Sequence, residues 1–328
     1  MCRKRLGIAF AIFVLAVFCF SGRTPATQSI TFPIARTPER LARGRYLVEG
    51  PAHCFFCHSE EEFQHLNGQP VPGMRGAGRI VPPEDSGVPL PNRVVCPNLT
   101  PDVATGAGRW KDQDFVHAIR DGIGHDGRVL SDYMPYWNLR YLSDEDLASV
   151  IVYVRSIPPV RHELPKTQLS EPAKVAETPL YPTPAPPPGA SPQVLRGAYL
   201  ARIGNCSNCH DGADPDGNPI SGLEFAGGQV LTGKWGTVTA ENITPDASGI
   251  GYFDEKKFIT VLRTGHVGAR KLSPIMPWSY FRNMSDEDLK AIFAYLRTLP
   301  PVQHRVDNTE PPTYCRRCRN RHGFGERN

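Results

Sequence analysis

Methionine is scarce in this chain of 328 residues, which contains only five. So few thioethers leave little choice if the protein needs a soft side-chain ligand. A long apolar run is also missing at the N-terminus. The uncharged stretch there covers residues 6–20, fifteen in all, whereas a spanning helix needs about 20. Excess charge is missing too, although the formal net charge is +4. Residues 1–32 account for it, with four basic side chains and no acidic ones. Residues 33–163 hold 14 basic and 17 acidic side chains, and residues 194–304 hold 11 of each. Such a balance excludes a basic stripe for nucleic acid.

The N-terminus has the pattern of an export signal. Arg3, Lys4 and Arg5 precede the uncharged stretch, and cleavage is expected between Ser21 and Ala26. Residues 1–26 are therefore read as a signal peptide, with an uncleaved anchor as the alternative.

Cysteine is plentiful, and its arrangement organises the rest. Cys54-Phe55-Phe56-Cys57-His58 and Cys206-Ser207-Asn208-Cys209-His210 repeat one pattern. C-x-x-C-H is the attachment pattern of c-type haem. The two thiols reach two vinyl groups on one porphyrin edge, and the next residue turns its imidazole to the iron. A redox C-x-x-C or half of a zinc site would be the plainer readings. The repeat around the motifs favours haem, and with it export, since this haem is attached outside the cytoplasmic membrane.

That repeat is long. Gly44 and Tyr46 match Gly197 and Tyr199 in a helix before each motif. Glycine costs about 1 kcal/mol relative to alanine there, so a close helix crossing is expected. Asn98-Leu99-Thr100-Pro101-Asp102 matches Asn242-Ile243-Thr244-Pro245-Asp246. Phe115, Ala118 and Ile119 form an i, i+3, i+4 stripe matched by Phe258, Val261 and Leu262. Ser-Asp-Glu-Asp at 143–146 and 285–288 opens a last helix as a capping box, and Pro-Pro-Val ends it. These acidic triplets are helix starts rather than a metal or catalytic cluster, and no catalytic residue is assigned. Between the copies, residues 165–192 contain nine prolines. A semi-rigid linker between two separable beads is expected there.

Met134 and Met276 alone fall at matching places, each before proline, 76 and 66 residues beyond the motif histidine. A thioether in that place would complete the iron's coordination and raise its potential. Gap-filling in the core is the alternative. His117, His125 and His266 compete as ligands, and the aligned His162 and His304 are read as surface residues. Asn98, Thr100, Asn242 and Thr244 are either propionate neighbours or loop caps. Trp110, Tyr136, Trp137, Trp278 and Tyr280 pack on either a haem edge or the core. Cys96, matched by Ala240, is a small buried thiol or else a thiolate ligand in place of Met134.

In this order of motifs the chain resembles tandem class I cytochrome c domains. It is most similar to the haem-bearing subunits of periplasmic alcohol and sugar-acid dehydrogenases. The likeness covers about residues 36–162 and 193–304. It implies an all-α fold with cytochrome c domains at 33–163 and 193–304, joined by a Pro-rich linker at 164–192. It further implies two covalently bound haem c groups. Cys54, Cys57, His58 and Met134 would hold one; Cys206, Cys209, His210 and Met276 would hold the other. The implied function is electron transfer from a dehydrogenase to a downstream cytochrome or terminal oxidase. The place would be the periplasm or the outer face of the cytoplasmic membrane, with membrane association through the N-terminus as an option. A dihaem thiosulfate dehydrogenase or peroxidase is the competing reading. Such subunits often carry three haems, whereas Cys315-Arg316-Arg317-Cys318-Arg319 puts Arg where a third histidine would stand. Arg is permanently protonated and cannot ligate iron. The tail at 305–328 is expected to be disordered, with zinc binding or a local disulfide as alternatives.

Overall fold

The computed structural model describes residues 33–82 and 93–323. The export segment, residues 83–92 and the last five residues of the tail, 324–328, lie outside the described residues. In the first half the helices are α1 (Pro38–Val48), α2 (Cys54–Cys57), α3 (Asp112–Arg120), α4 (Tyr136–Leu139) and α5 (Asp144–Val154). The second half repeats them as α6 (Pro192–Ile203), α7 (Cys206–His210), α8 (Glu255–Thr264), α9 (Trp278–Phe281) and α10 (Asp286–Leu296). Their starts follow local chemistry. Ser143 and Ser285 accept from the backbone N–H groups of Asp146 and Asp288 at 3.1 and 3.2 Å. Pro38 and Pro192 occupy the first turns of α1 and α6, where a missing N–H costs nothing.

The all-α expectation is corrected. Helix makes up 30% and strand 11% of the structure. Among the described residues the strands form five two-stranded antiparallel sheets. They pair β1 (Glu61–Glu62) with β2 (Gln69–Pro70), and β3 (Arg79–Val81) with β4 (Val94–Cys96). Then β5 (Val230–Gly233) pairs with β6 (Gly236–Thr239), and β7 (His266–Val267) with β8 (Arg270–Lys271). Last, β9 (Thr313–Tyr314) pairs with β10 (Arg321–His322). The physical reason lies in composition. Glycine and proline together supply 63 residues (30 + 33), so the long connections cannot stay helical. Short β-branched runs such as Val94-Val95 and Thr237-Val238-Thr239 zip into hairpins within them.

Each half is framed by one helix crossing, α1 on α5 and α6 on α10. The repeated glycines sit at these crossings. A Cβ on Gly44 would collide with the Ser149 carbonyl, and one on Gly197 with the Ala291 carbonyl. Glycine therefore sets how closely the helices approach.

The halves are not separate beads. One buried cluster runs through both, including Leu47, Phe56 and Ile151 with Leu200, Phe281 and Leu289. A reciprocal polar lock spans the contact. Arg43 makes a two-pronged bond to Asp146 at 2.7 and 2.8 Å, and Tyr199 of the other half donates to the same carboxylate at 2.5 Å. Arg196 binds Asp288 at 2.9 and 2.8 Å, and Tyr46 donates to that carboxylate at 2.6 Å. The third acid of each Ser-Asp-Glu-Asp is thus a docking residue as well as part of a helix start.

The Pro-rich segment is extended but packed. Arg93 and Gln168 exchange backbone bonds, and Ala176 N–H donates to the Tyr136 hydroxyl at 2.7 Å. Tyr181 and Thr183 are buried. The tail departs further from expectation. From Arg305 to Gly323 it folds back on the second half, with Cys318 fully buried.

Candidate functional site

The C-x-x-C-H stretches form single helical turns, α2 and α7. Residues i and i+3 share a face of such a turn, so each thiol pair points one way. Each turn is entered through a left-handed residue, His53 at φ 33° and Asn205 at φ 57°. Burial shapes the chemistry. It pushes the Cys54 and Cys206 thiols up to about 12 and Cys209 to about 11. Cys57 moves the other way, because a hydrogen bond with Cys96 outweighs its burial.

The motif histidines are held alike. His58 Nδ1 meets the Pro97 carbonyl at 3.0 Å, and His210 Nδ1 meets the Glu241 carbonyl at 2.7 Å. A carbonyl partner puts the proton on Nδ1 and leaves Nε2 bare as an iron ligand. Burial lowers both imidazoles, His58 to about 4, so they are neutral and able to ligate.

The carbonyls that hold the histidines are themselves pinned. Asn98 Oδ1 accepts from the Thr100 N–H and hydroxyl at 2.9 and 2.7 Å, and its Nδ2 donates to the Val160 carbonyl at 2.8 Å. Asn242 repeats this with Thr244 at 2.9 and 2.8 Å and with the Val302 carbonyl at 2.8 Å. All four side chains are buried. Their role is therefore loop capping, and it ties the carbonyl-bearing turn to the end of the last helix.

Met134 and Met276 stand in matching turns. Their N–H groups donate to the Ser131 and Ser273 carbonyls at 3.0 and 3.1 Å. The Tyr136 and Trp278 N–H groups each bond back to the methionine carbonyl at 2.7 Å. A glycine in the left-handed region backs each turn. A Cβ on Gly122 would lie 2.6 Å from the Tyr136 ring, and one on Gly265 would strike the Trp278 ring. Both methionines are partly buried against the main core.

A cavity of about 950 Å³ opens beside α7. Cys206, Cys209, His210 and Met276 line it, and so do Cys57, Tyr133 and Trp137 of the first half. Two of its wall atoms, Arg270 Nη1 and Ser273 Oγ, are buried without hydrogen-bond partners. In the first half, Arg79 Nε and both Glu61 carboxylate oxygens likewise lack hydrogen bonds, while Arg79 Nη2 stands 3.9 Å from Glu61 Oε2 as an ion pair. Bare imidazoles, paired thiols and an unsatisfied guanidinium fit a haem with anionic propionates.

The remaining candidates separate clearly. His117 pairs with Asp121 at 2.8 Å, and His125 stacks on Trp110 at 4.3 Å. His266 is exposed. His162 and His304 bond the Ala77 and Ala226 carbonyls at 3.0 and 2.9 Å. His304 is buried, which corrects its reading as a surface residue. Trp137 lines the cavity, whereas Tyr136, Trp278 and Tyr280 are core residues. Cys96 stands beside Cys57 and next to Pro97, on the side of His58. Sequence reasoning missed Arg79, Arg270 and Glu61, since strands of two or three residues are too short to carry a periodic signal.

No family model matches the chain. It is 30% identical over 299 residues to the cytochrome c subunit of the quinone alcohol dehydrogenase of Komagataeibacter europaeus, covering 82% of this chain and 58% of that one. A second relative is the fructose dehydrogenase cytochrome subunit of Gluconobacter japonicus, 30% identical over 276 residues, 79% and 52%. A third is the gluconate 2-dehydrogenase cytochrome c subunit of Pantoea cypripedii, 26% identical over 281 residues, 79% and 59%. The chain spans little more than half the length of these relatives. By this likeness, and by two C-x-x-C-H turns with carbonyl-held histidines, the chain is similar to the c-type cytochrome subunits of alcohol, fructose and gluconate dehydrogenases.

Proposed function

We propose that this protein is an exported dihaem electron carrier. It accepts electrons from a periplasmic dehydrogenase and passes them to a downstream cytochrome or terminal oxidase. Cys54, Cys57, His58 and Met134 hold one haem c, and Cys206, Cys209, His210 and Met276 hold the other. The reading rests on one observation: each half offers a neutral, carbonyl-held imidazole together with a methionine from the same turn of the repeat. Haem c, when bound, supplies a one-electron couple whose potential His/Met ligation raises. With a histidine and a methionine both as ligands, the bound iron would have no open place for a substrate. Lining of one cavity by Cys57, Cys206 and Cys209 brings the two attachment sites close, as a carrier with two centres requires. Among the described residues no helix is long and apolar enough to cross a membrane. Attachment at the membrane's outer face would therefore fall to residues 1–26 or to a partner. The unit boundaries are 33–163 and 193–304, with 164–192 between them.

The test begins with the mass of the matured protein, expected to show two covalent haems. The ferrous protein is expected to bind no carbon monoxide and to turn over neither thiosulfate nor peroxide. Met134→Ala should open the first site to exogenous ligands and lower its potential. Cys96→Ala should leave both potentials almost unchanged, because this thiol faces Cys57 and has Ala240 as its counterpart. A thiolate spectrum lost in Cys96→Ala, or turnover with thiosulfate, would replace the carrier by a sulfur-compound oxidase.

A further inference from the structure

The folded tail brings together four side chains that electron transfer does not use. His304, Cys315, Cys318 and His322 place one ligand atom each within 4.8 Å of all the others. His304, Cys318 and His322 are buried at 2%, 0% and 6% exposure. His304 gives its Nδ1 to the Ala226 carbonyl at 2.9 Å, which turns its Nε2 towards Cys315 Sγ at 3.3 Å. The His304 and His322 rings stand edge-on, with centroids 5.4 Å apart. His322 Nε2 is buried with no hydrogen-bond partner. Leaving such a nitrogen dry and unpaired costs about 1–3 kcal/mol, so its burial points to a ligand.

The backbone is shaped for the same purpose. Cys315 and Cys318 lie on a tight knuckle between β9 and β10, closed by the Cys315 N–H to the Asn320 carbonyl at 2.9 Å. Arg319 turns the chain there at φ 59°. Asn320 Nδ2 holds the knuckle to the Ala213 carbonyl at 2.9 Å, and Arg319 pairs with Asp214 at 2.9 Å. Opposite stands Gly228. A Cβ there would lie 2.7 Å from the His304 ring and 3.4 Å from Cys318 Sγ, filling the space between them.

We propose that His304, Cys315, Cys318 and His322 bind a structural zinc ion. Two thiolates and two imidazoles are the donor set of closed tetrahedral zinc sites. Thiolate with imidazole also disfavours magnesium and calcium, which take oxygen. Four protein ligands leave no open position, so the ion staples rather than catalyses. It fastens the tail to His304, which itself bonds the loop between α7 and β5 through the Ala226 carbonyl. That loop also carries the Gly227 N–H to His210 carbonyl bond at 2.6 Å, so the staple reaches the frame of the second motif. Binding releases the thiol protons, and no electrons move.

The test uses the full haem-loaded protein, passed over a chelating resin and analysed for zinc and iron by mass spectrometry. About one zinc per chain is expected beside the haem iron. Zinc(II) added to reduced, haem-loaded protein stripped of zinc should bind in competition with a chromophoric chelator. Cys318→Ser and His322→Ala should each weaken that binding about tenfold or more, with iron per chain unchanged. Should a variant fail to fold, the unaltered protein still decides. Alkylation of Cys315 and Cys318 should be blocked by zinc and released by chelator, as mapped on tail peptides. A reduced protein that takes up no zinc, variants that keep it, or thiols alkylated equally with and without zinc would each overturn the assignment. A Cys315–Cys318 disulfide that on reduction still binds no zinc would do the same.

Discussion

At the scale of the residue, small polar groups govern the ligands. Asn98 is 2% exposed and satisfies Thr100 and the Val160 carbonyl together. It directly follows Pro97, whose carbonyl orients His58. Removing its amide leaves buried partners unpaired, at a cost of about 1–3 kcal/mol. Asn98→Ala is therefore expected to lower the melting temperature of the haem-loaded protein and to broaden the spectrum of the first site only. Asn242→Ala should do the same at the second site. An unchanged melting curve in both would show that the turn is held by other contacts. The asparagines were visible in sequence as a repeated pair, but their choice between propionate and loop was not. That choice depends on Val160 and Val302, which lie 62 and 60 residues further along the chain.

At the scale of the element, the helix crossings set a contest between two known magnitudes. Alanine favours a helix over glycine by about 1 kcal/mol. Overpacking a tight contact costs about 1–3 kcal/mol, and more when backbone must move. The atoms facing Gly44 and Gly197 are the backbone carbonyls of Ser149 and Ala291, which cannot rotate aside. The clash should win, so Gly44→Ala and Gly197→Ala are each expected to destabilise by about 1–3 kcal/mol in denaturant titration. A stabilised variant would mean that α1 and α5, or α6 and α10, stand further apart. These glycines were readable because they recur at one place in the repeat. The hairpins were not, since two to four residues leave too short a run for a period to show.

At the scale of the whole molecule, the halves are locked by tyrosine hydroxyls on two arginine-paired carboxylates as well as by the shared core. Burial pushes the Asp146 and Asp288 carboxyls up. The hydrogen bonds from Arg43 and Tyr199, and from Arg196 and Tyr46, outweigh it and hold both below the usual carboxylate range. A depressed carboxyl adds stability that is complete above its unfolded pKa, about 4. That stability is lost as pH falls through the lower folded values. A chain cut at the exposed residues 187–189 is therefore expected to stay associated at neutral pH, with both halves in one peak on size-exclusion chromatography. The peak should begin to split only as pH falls through the depressed values of Asp146 and Asp288, which Arg43 and Arg196 still hold down in the separated halves. In the cut Asp146→Asn, Asp288→Asn protein the association should be weaker at pH 7 and depend less on pH. Separation of the unaltered halves at neutral pH would restore the picture of beads on a tether.

The haem-attachment pattern, the candidate ligands and the order of helices were legible in the sequence alone, because each rests on local chemistry. A C-x-x-C-H turn, a Ser-capped helix start and a proline stop need only their neighbours in the chain. Repetition then separated Met134 and Met276 from the other methionines. Tertiary structure decided everything that joins distant residues. It set Tyr46 on Asp288, Cys96 beside Cys57, and the tail cysteines beside His304. Tyr46 and Asp288 are 242 residues apart, a separation at which no spacing pattern survives. The Cys315–Cys318 pair looked like a failed haem motif for the same reason. Two of the four ligands proposed for its metal, His304 and His322, acquire that role only when the chain folds back.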